Sequence, residues 1–477
     1  MSTSQEGLIQ KTVSTQHMPI DTAITGGTVV TSERAYEASV GIEDGEIIAV
    51  GAKSSLPRAE ETVDASGQLV MPGVVDVHVH VDDQFSEDSY RTATGAAALG
   101  GTTTYVDFAW QAWTGEMSLF DEEGTLMEGI ERKKEKGSDA LIDFGLHGAI
   151  TREDPAVFEE ISEAIEAGVP TFKMFTAYEI GLSNGFMNRA MEHVAAADGV
   201  GVFHTEDDSV CQSLIEQCKA EEKNNAIHFP ESRPDYAEAM AAEDAVRMAV
   251  EAGMKYYGIH TSCRKAAEIL EYFQEEYGSE LIRAETCLHY TTLTDSVYDE
   301  QGNRPVIQPP IRTDEDVEAM FDHLDDGVLS VVSTDHCAYT LDQKEGGAWW
   351  EINPGANSLQ TCLPVFYDEA VNRLGYDPSF VVELLATNPA ETFGMPEKGT
   401  LDPGTDADIV VFDPETEFTI TADDNESVAD YTIYEGREVT GRPTKTYVRG
   451  ELVADDGKVV GEPGHGEFLE RDRPDWN

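Results

Sequence analysis

The chain has 477 residues, 40% of them hydrophobic, and its 92 acidic residues against 32 basic ones give a net charge of −60. This length suits a large domain with a smaller companion, and no apolar run reaches the length of a bilayer span. The acidic residues are spread over every segment, which is typical of a solvated anionic shell in a salt-rich cytoplasm (a halophilic protein), and such a surface disfavours nucleic-acid binding because it repels phosphates.

The chain opens with a polar leader, residues 1–20, without the apolar core of a secretory signal, so a cytoplasmic location is predicted. Residues 21–69 contain short β-type runs such as TAITGGTVVT and EIIAVGA, separated by turns. Glu43-Asp44-Gly45 stands between two of these runs and predicts a tight hairpin. The segment therefore predicts a small all-β unit.

Residues 70–396 alternate short apolar strands, among them TTYVDFA, PTFKMF, GVGVFHT and LSVVSTDH, with helical stretches such as RKAAEILEYFQEEYG. Such repeated alternation predicts a (β/α)8 TIM barrel, whose functional residues lie at the carboxyl ends of the strands. A doubly wound sheet is the structural alternative. It is disfavoured because the sequence contains no Gly-rich phosphate-binding fingerprint.

β-type runs return in residues 397–460, for example DADIVVFDP and TKTYVRGELVADDGKVV. We expect them to join residues 21–69 in one β-sandwich, so the predicted fold class is α/β, a barrel with a small sandwich built from both chain ends. Residues 461–477 predict a C-terminal tail that is mobile or docks a partner. The six cysteines form no Cys-x-x-Cys pair and are expected to be reduced and buried.

Candidate metal ligands stand at the ends of several predicted strands. The run MPGVVDVHVH ends in His78 and His80, which share one face of a strand and so can bind one metal ion. Taken singly, a histidine is more often an ordinary hydrogen-bonded one, and a lysine in an apolar run often reaches solvent or an acid. The order of the whole set indicates a metal centre: His78, His80, Lys173, His204, His260 and Asp335.

This order, with the motifs TFKMFTAY, IHTSC, STDHC and NPAETFG, resembles the cyclic amidohydrolases of the amidohydrolase superfamily, in the hydantoinase and dihydropyrimidinase branch. The resemblance covers nearly the whole chain. It implies a hydrolase with two zinc ions that opens the cyclic amide bond of dihydropyrimidine or hydantoin rings. The implied ligands are His78, His80 and Asp335 for one ion, His204 and His260 for the other, and Lys173, as the N6-carboxylysine carbamate, between them.

The resemblance also implies roles in catalysis. A hydroxide bridging the metals would attack the ring carbonyl, Asp335 would shuttle the proton to the leaving nitrogen, and Tyr178 would stabilise the oxyanion. Tyr178, Gln308 and Asn353 are the expected substrate-binding residues. Gln308 replaces a serine whose main chain holds the ring in hydantoinases, and Pro354-Gly355 replaces the usual Asn-Gly, so Asn353 is expected to substitute from one place earlier.

The expected partner is a small cyclic amide, with no nucleic acid or membrane, in a homo-oligomer that family analogy makes a tetramer. Allantoinase and dihydroorotase activities are the alternatives within the superfamily, and a non-catalytic scaffold is the alternative from another class. Asp82 and Asp83 follow His80 where dihydroorotases usually carry an arginine. We expect them near the pocket mouth, where each would cost an anionic substituent about 1 kcal/mol.

Overall fold

The computed structural model describes residues 19–476. The predicted leader therefore lies outside the described residues, apart from its last two positions. Seven short strands precede the barrel: β1 Ile20–Thr25, β2 Thr28–Val30, β3 Ala35–Glu37, β4 Ser39–Glu43, β5 Glu46–Gly51, β6 Ala59–Asp64 and β7 Leu69–Pro72. Asp44 and Gly45 join β4 to β5 with φ angles of 52° and 84°. Positive φ at both central residues is the geometry of a two-residue hairpin turn, as the sequence predicts.

The next ten strands build and close the barrel: β8 Val74–Asp76, β9 Val79–His80, β10 Thr102–Trp110, β11 Asp143–Ala149, β12 Thr171–Phe175, β13 Val200–His204, β14 Lys255–Gly258, β15 Ile282–Cys287, β16 Val331–Ser333 and β17 His336–Cys337. Eight of them form one parallel sheet in the order β16-β15-β14-β13-β12-β11-β10-β8. Every residue of β10, β11 and β12 is buried, because helices cover the outer face of the sheet and side chains fill its interior.

The first and last barrel strands meet at the carboxyl end of the barrel. There β9 pairs in parallel with β17, Val79 opposite His336 and His80 opposite Cys337. Just below, Thr334 Oγ1 donates to Asp76 Oδ2 at 2.6 Å. This closure brings the two ends of the sheet together beside the histidine pair.

Fifteen α-helices lie in the described chain, most of them around the barrel. Helix α8, for example, buries Ala266, Ala267, Leu270 and Phe273, one apolar face at helical spacing. The helices are α1 Tyr90–Gly100, α2 Leu126–Lys136, α3 Val157–Glu166, α4 Asn184–Ala196, α5 Asp208–Ala220, α6 Phe229–Ser232, α7 Asp235–Ala252, α8 Arg264–Tyr277, α9 Leu288–Thr292, α10 Val297–Gln301, α11 Asp314–Asp325, α12 Leu341–Lys344, α13 Cys362–Tyr367, α14 Pro378–Val382 and α15 Asn388–Thr392.

The closing strands are β18 Ile409–Thr419, β19 Glu438–Val448, β20 Glu451–Asp455 and β21 Lys458–Val459. They extend the N-terminal strands into a seven-stranded sheet, β21-β20-β19-β18-β7-β2-β3, which faces the four-stranded sheet β5-β4-β1-β6. A separate apolar cluster lies between the two sheets, with Val29, Val40, Ile409 and Val411 fully buried. The predicted fold class, a barrel with a sandwich built from both chain ends, is confirmed.

The C-terminal tail is not the free extension that its charge and proline content predict. Leu469 donates its N–H to the carbonyl of Phe144 at 2.8 Å, and Arg471 donates its N–H to Gly168 at 3.1 Å. Trp476 is 4% exposed and its indole donates to the Thr392 carbonyl. Phe144 and Gly168 lie near the amino ends of β11 and β12, so the tail covers the bottom of the barrel.

In the described range no helix is long and apolar enough to cross a bilayer, and all six cysteines are buried and unpaired.

Candidate active site

The structure brings the six predicted ligands together at the carboxyl ends of the barrel strands. Lys173 lies on β12 and His204 ends β13, while His260 and Asp335 follow β14 and β16 by two residues. His78 and His80 come from the first barrel strand and its continuation β9. All six line one small cavity of about 50 Å³. Residues nearly two hundred sixty positions apart in sequence thus share one site, because the strands are parallel and adjacent.

His78, His80 and Asp335 form a cluster suited to a metal ion, with one ligand atom from each within 4.8 Å of the others. His78 Nε2 lies 3.2 Å and His80 Nε2 3.7 Å from Asp335 Oδ1. His78 Nε2 is buried and has no hydrogen-bond partner among the described residues, whereas His80 Nδ1 lies on the other side of its ring, 3.7 Å from Asp83 Oδ2. Buried nitrogens without a partner are costly, and a metal ion would satisfy a nitrogen that faces the cavity.

A second pair of imidazoles lies beside this cluster. His260 Nε2 is 2.8 Å from His204 Nδ1. Burial lowers the pKa of His204 to about 4 and the pKa of His260 well below its usual value. Both rings are therefore neutral at ordinary pH, which is the form that binds metal ions.

Lys173 faces the same cavity from β12. Its ammonium lies 4.7 Å from the ring centre of Phe108 and 4.8 Å from that of Phe175. Burial lowers the pKa of Lys173 to about 8. A lysine so placed holds more of the neutral amine, the form that reacts with carbon dioxide, than a lysine in water.

Glu285 is a buried acid in contact with the candidate ligands that the sequence reasoning missed. It lies on β15, fully buried, and its Oε1 is 2.7 Å from His78 Nδ1. It also accepts from the Tyr257 hydroxyl at 2.9 Å and the His260 N–H at 3.2 Å. A carboxylate at Nδ1 keeps the proton there and leaves Nε2 free for a metal. The available signal was an acid in the middle of a barrel strand, in the run IRAETC.

Tyr178 lies at the edge of the cavity, and its hydroxyl is held by a buried polar network. The hydroxyl is 3.0 Å from His204 Nε2 and 3.2 Å from Glu206 Oε2. Arg233 donates to the same Glu206 oxygen at 2.5 Å. Burial would raise the pKa of Glu206, but Arg233 and His204 bring it down to about 2. Glu206 is therefore a carboxylate that orients the phenol towards the cavity.

Gln308 joins this network through its side chain. With its amide oriented to satisfy both ends, the nitrogen donates to Tyr178 Oη at 2.9 Å, and the oxygen accepts from Arg233 Nη2 at 3.0 Å. The sequence predicted only a main-chain contact for Gln308. The side chain instead fills part of the cavity wall and fixes the position of Tyr178.

Three residues of the site have a backbone conformation that non-glycine residues rarely adopt. Tyr178, His260 and Asp335 have φ angles of 69°, 39° and 46°. Such positions cost roughly 1–3 kcal/mol each and persist where the surrounding structure enforces them, most often at functional sites. They turn the chain sharply as it leaves β12, β14 and β16.

The structure does not bring Asn353 to the cavity. Asn353 is exposed, whereas its neighbours Pro354 and Gly355 line the cavity wall. The position of Asn353 therefore does not support the prediction that it binds the substrate in place of the asparagine found in the family.

The structure does not place Asp82 and Asp83 at the cavity, where their electrostatic role was expected. The Asp83 side chain is 3% exposed, lies 3.4 Å from Lys133 Nζ and accepts from the Trp110 indole at 2.8 Å. Asp82 pairs with Lys136 at 2.8 Å. Neither aspartate lines the cavity. Asp83 shares Lys133 with Asp107, and Asp82 pairs with Lys136 outside the cavity, so their positions do not support the predicted repulsion of anionic substrates.

An eight-stranded parallel barrel with histidines, a lysine and an aspartate at the carboxyl ends of its strands defines a class of metal-dependent hydrolases. The sequence profile of the amidohydrolase family matches residues 69–453, and the chain belongs to that family. Within it, the chain groups with the hydantoinases and dihydropyrimidinases. The predicted family and the prediction of an enzyme are thereby confirmed.

Three relatives illustrate this grouping. The chain is 34% identical over 467 residues to a D-hydantoinase of Ralstonia pickettii, covering 95% of this chain and 99% of the relative. It is 30% identical to an allantoinase of Salmonella choleraesuis, with the same coverage. The crystal structure of a dihydropyrimidinase from Brevibacillus agri superposes with a TM-score of 0.89 at 29% identity, over 95% of this chain and 99% of that one.

Proposed function

We propose that the protein is a binuclear zinc hydrolase that opens the cyclic amide bond of dihydropyrimidine or hydantoin rings. The observation that carries this proposal is the gathering of all six candidate ligands around one cavity. The 34% identity to a D-hydantoinase over 95% of the chain supports the choice of substrate class.

The donor set fits two zinc ions. His78, His80 and Asp335 would hold one ion, His204 and His260 the other, and Lys173 would lie between them as a carbamate. A carbamate offers two anionic oxygens, whereas an ammonium repels cations. When bound, the two ions supply the Lewis acidity that polarises an amide carbonyl and lowers the pKa of water.

The proton transfers fall to Asp335. Its carboxylate is buried within the ligand cluster, 3.2 Å from His78 Nε2. There it can accept a proton from the attacking water and deliver it to the leaving ring nitrogen, which avoids expulsion of an amide anion. Burial raises the pKa of Asp335 above its ordinary value, which suits a group that must hold a proton transiently.

Tyr178 would stabilise the oxyanion that develops on the ring carbonyl. His204, Glu206 and Gln308 hold the phenol oxygen at the edge of the cavity, and the single O–H would turn from Glu206 to the oxyanion. Gln308 would act through this contact as well as through its main chain. Pro354 and Gly355 would form the opposite wall in the place assigned to Asn353.

The lining of the cavity supports a neutral ring as substrate. Among the described residues that line it, the only lysine or arginine is Lys173, which is assigned to the metal centre. Arg233, the buried cation nearest Tyr178, is neutralised by Glu206 and does not offer a free charge to a carboxylate. Allantoin hydrolysis is the second candidate, because allantoinases are also among the relatives at 30% identity.

A hydrolysis screen over dihydrouracil, hydantoin, allantoin and dihydroorotate tests the proposal. It is run in high salt with zinc and bicarbonate, because the net charge of −60 indicates a protein adapted to salt. We expect the first two rings to be opened most efficiently. A preference for allantoin or dihydroorotate would reassign the substrate, and no hydrolysis of any ring by zinc-loaded protein would indicate the scaffold.

We further propose that the enzyme is a cytoplasmic homotetramer. The tetramer rests on family analogy alone, and sedimentation at several salt concentrations tests it. The location is supported by the acidic residues spread over the whole sequence, which are typical of proteins from a salt-rich cytoplasm.

A further inference from the structure

Four lysines are buried in the described chain, and they differ in what surrounds the charge: Lys133, Lys173, Lys344 and Lys398. Lys133 contacts two aspartates and Lys398 contacts three. Lys173 belongs to the candidate metal centre. Lys344 is 0% exposed, and within residues 19–476 no carboxylate lies at ion-pair distance from it. A buried ammonium without a counter-ion is costly, so its surroundings should show what it contributes.

The Lys344 ammonium donates to three main-chain carbonyls. Its Nζ lies 2.8 Å from the carbonyl oxygen of Val306, 2.9 Å from that of Asn353 and 2.7 Å from that of Gly355. An ammonium has three N–H groups, so each finds an acceptor. The side chain is thus used entirely to bind backbone from two different segments.

These two segments form one wall of the candidate active site. Ile307 and Gln308, directly after Val306, line the cavity, as do Pro354 and Gly355. The segments also bind each other, because the Gly355 N–H donates to the Val306 carbonyl at 2.8 Å. Lys344 itself does not line the cavity. Lys344 therefore contacts the wall on the side that faces away from the cavity.

The position of Gly355 shows how little the wall can move. Its φ angle is 149°, and a Cβ atom there would lie 2.5 Å from Cys337 Cβ. Its carbonyl also accepts from the Tyr431 hydroxyl at 3.2 Å. Only glycine fits this close approach to the strand that follows Asp335. The wall is thus fixed against the metal-binding strand on one side and by Lys344 on the other.

We propose that Lys344 is a positioning residue that sets the place of the wall formed by residues 306–308 and 353–355, and through it the binding of the substrate ring. The choice of substrate rests on the proposed function. Loss of the Lys344 contacts should loosen the wall and leave every metal ligand in place, because Lys344 contacts only main-chain carbonyls of the wall. Gln308 also contacts Tyr178, so a small fall in kcat should accompany the effect on binding.

The test is Lys344→Met, which keeps an unbranched side chain one atom shorter and removes its donors. We expect KM for hydantoin or dihydrouracil to rise about tenfold, equivalent to about 1.4 kcal/mol of binding, with kcat within about threefold of wild type. Metal content should stay unchanged. Peptides that cover residues 306–308 and 353–355 should exchange their amide hydrogens faster. Unchanged KM and unchanged exchange would overturn the proposal.

Lys398→Met is the matched control. It removes an equally buried lysine that contacts Asp143 at the amino end of β11, far from the cavity, so it should lower stability and leave KM unchanged. If Lys344→Met does not fold, Tyr431→Phe tests whether the position of the wall controls KM. It removes one donor to the Gly355 carbonyl and should raise KM about two- to threefold; an unchanged KM then contradicts the proposal. If wild type opens none of the rings, the proposed function fails, and hydrogen exchange alone still tests Lys344.

Discussion

Glu285→Gln tests whether the carboxylate behind His78 controls metal binding. Glu285 accepts from His78 Nδ1, the Tyr257 hydroxyl and the His260 N–H, at 2.7, 2.9 and 3.2 Å. Glutamine keeps the shape but removes the charge: its oxygen can still accept from His78 and His260, while its amide nitrogen can donate to the Tyr257 hydroxyl oxygen. A hydrogen bond to a charged group contributes about 1.5–3 kcal/mol and a neutral one about 1 kcal/mol.

The expected loss is therefore about 0.5–2 kcal/mol from the His78 contact, which is roughly 2- to 30-fold in metal affinity. Competition between the loaded protein and a zinc chelator of known affinity measures it. Because Glu285 contacts both His78 and His260, both metal ions should be retained less tightly.

Glu238→Gln is the matched control for this experiment. Glu238 is equally buried, but it pairs with Arg312 at 3.0 Å and contacts no histidine of the site. The control should lower the unfolding temperature and leave chelator competition unchanged. If Glu285→Gln retains zinc as tightly as wild type, the carboxylate does not tune the metal site and the reasoning is wrong.

Three further predictions follow from the same geometry. Exhaustive chelation should abolish hydrolysis, and His204→Ala should lower the metal content below two ions per chain by elemental analysis; full activity after chelation would contradict the metal mechanism. Lys173→Ala should lose activity and regain part of it with added short carboxylates, whereas intact activity without them would exclude the bridging role. Burial lowers the pKa of Lys344 to about 7 from 10.5. Between these pH values the unfolded chain binds more protons than the folded one, so stability should rise with pH. Denaturation at pH 7 and 9 should show that the free energy of unfolding of wild type rises by about 1 kcal/mol per pH unit relative to that of Lys344→Met. If the two free energies change equally with pH, the pKa of Lys344 is not lowered.

The metal ligands could be predicted because they are polar residues at fixed places in an apolar pattern. His78, His80 and Asp335 end barrel strands, and parallel strands present their carboxyl ends at one face. Lys173 stands out inside TFKMF for the same reason. The barrel and the sandwich were predictable because the sequence changes from short β-type runs to strand–helix alternation near residue 70 and back to β-type runs near residue 397.

Contacts between distant segments were not predictable. The charge of Asp83 depends on Lys133, fifty residues later on α2, and no local pattern shows that the two side chains meet. The burial of Trp476 depends on a surface at the bottom of the barrel that exists only once the barrel has folded. The sequence around Lys344 is that of an ordinary solvent-exposed helical lysine, and only the folded structure shows that the carbonyls of Val306 and Gly355 accept from it.

The sandwich built from both chain ends has a consequence for synthesis on the ribosome. Val70 of β7 pairs with Val411 of β18, a partner that is translated only after the entire barrel. At about 5–20 residues per second, the delay between the two strands is roughly 17–70 s. For that time β7 presents an open edge next to a half-built apolar core, and an open edge invites pairing with other nascent chains. Chaperone demand during translation should therefore arise from the first seventy residues and end only when β18 emerges.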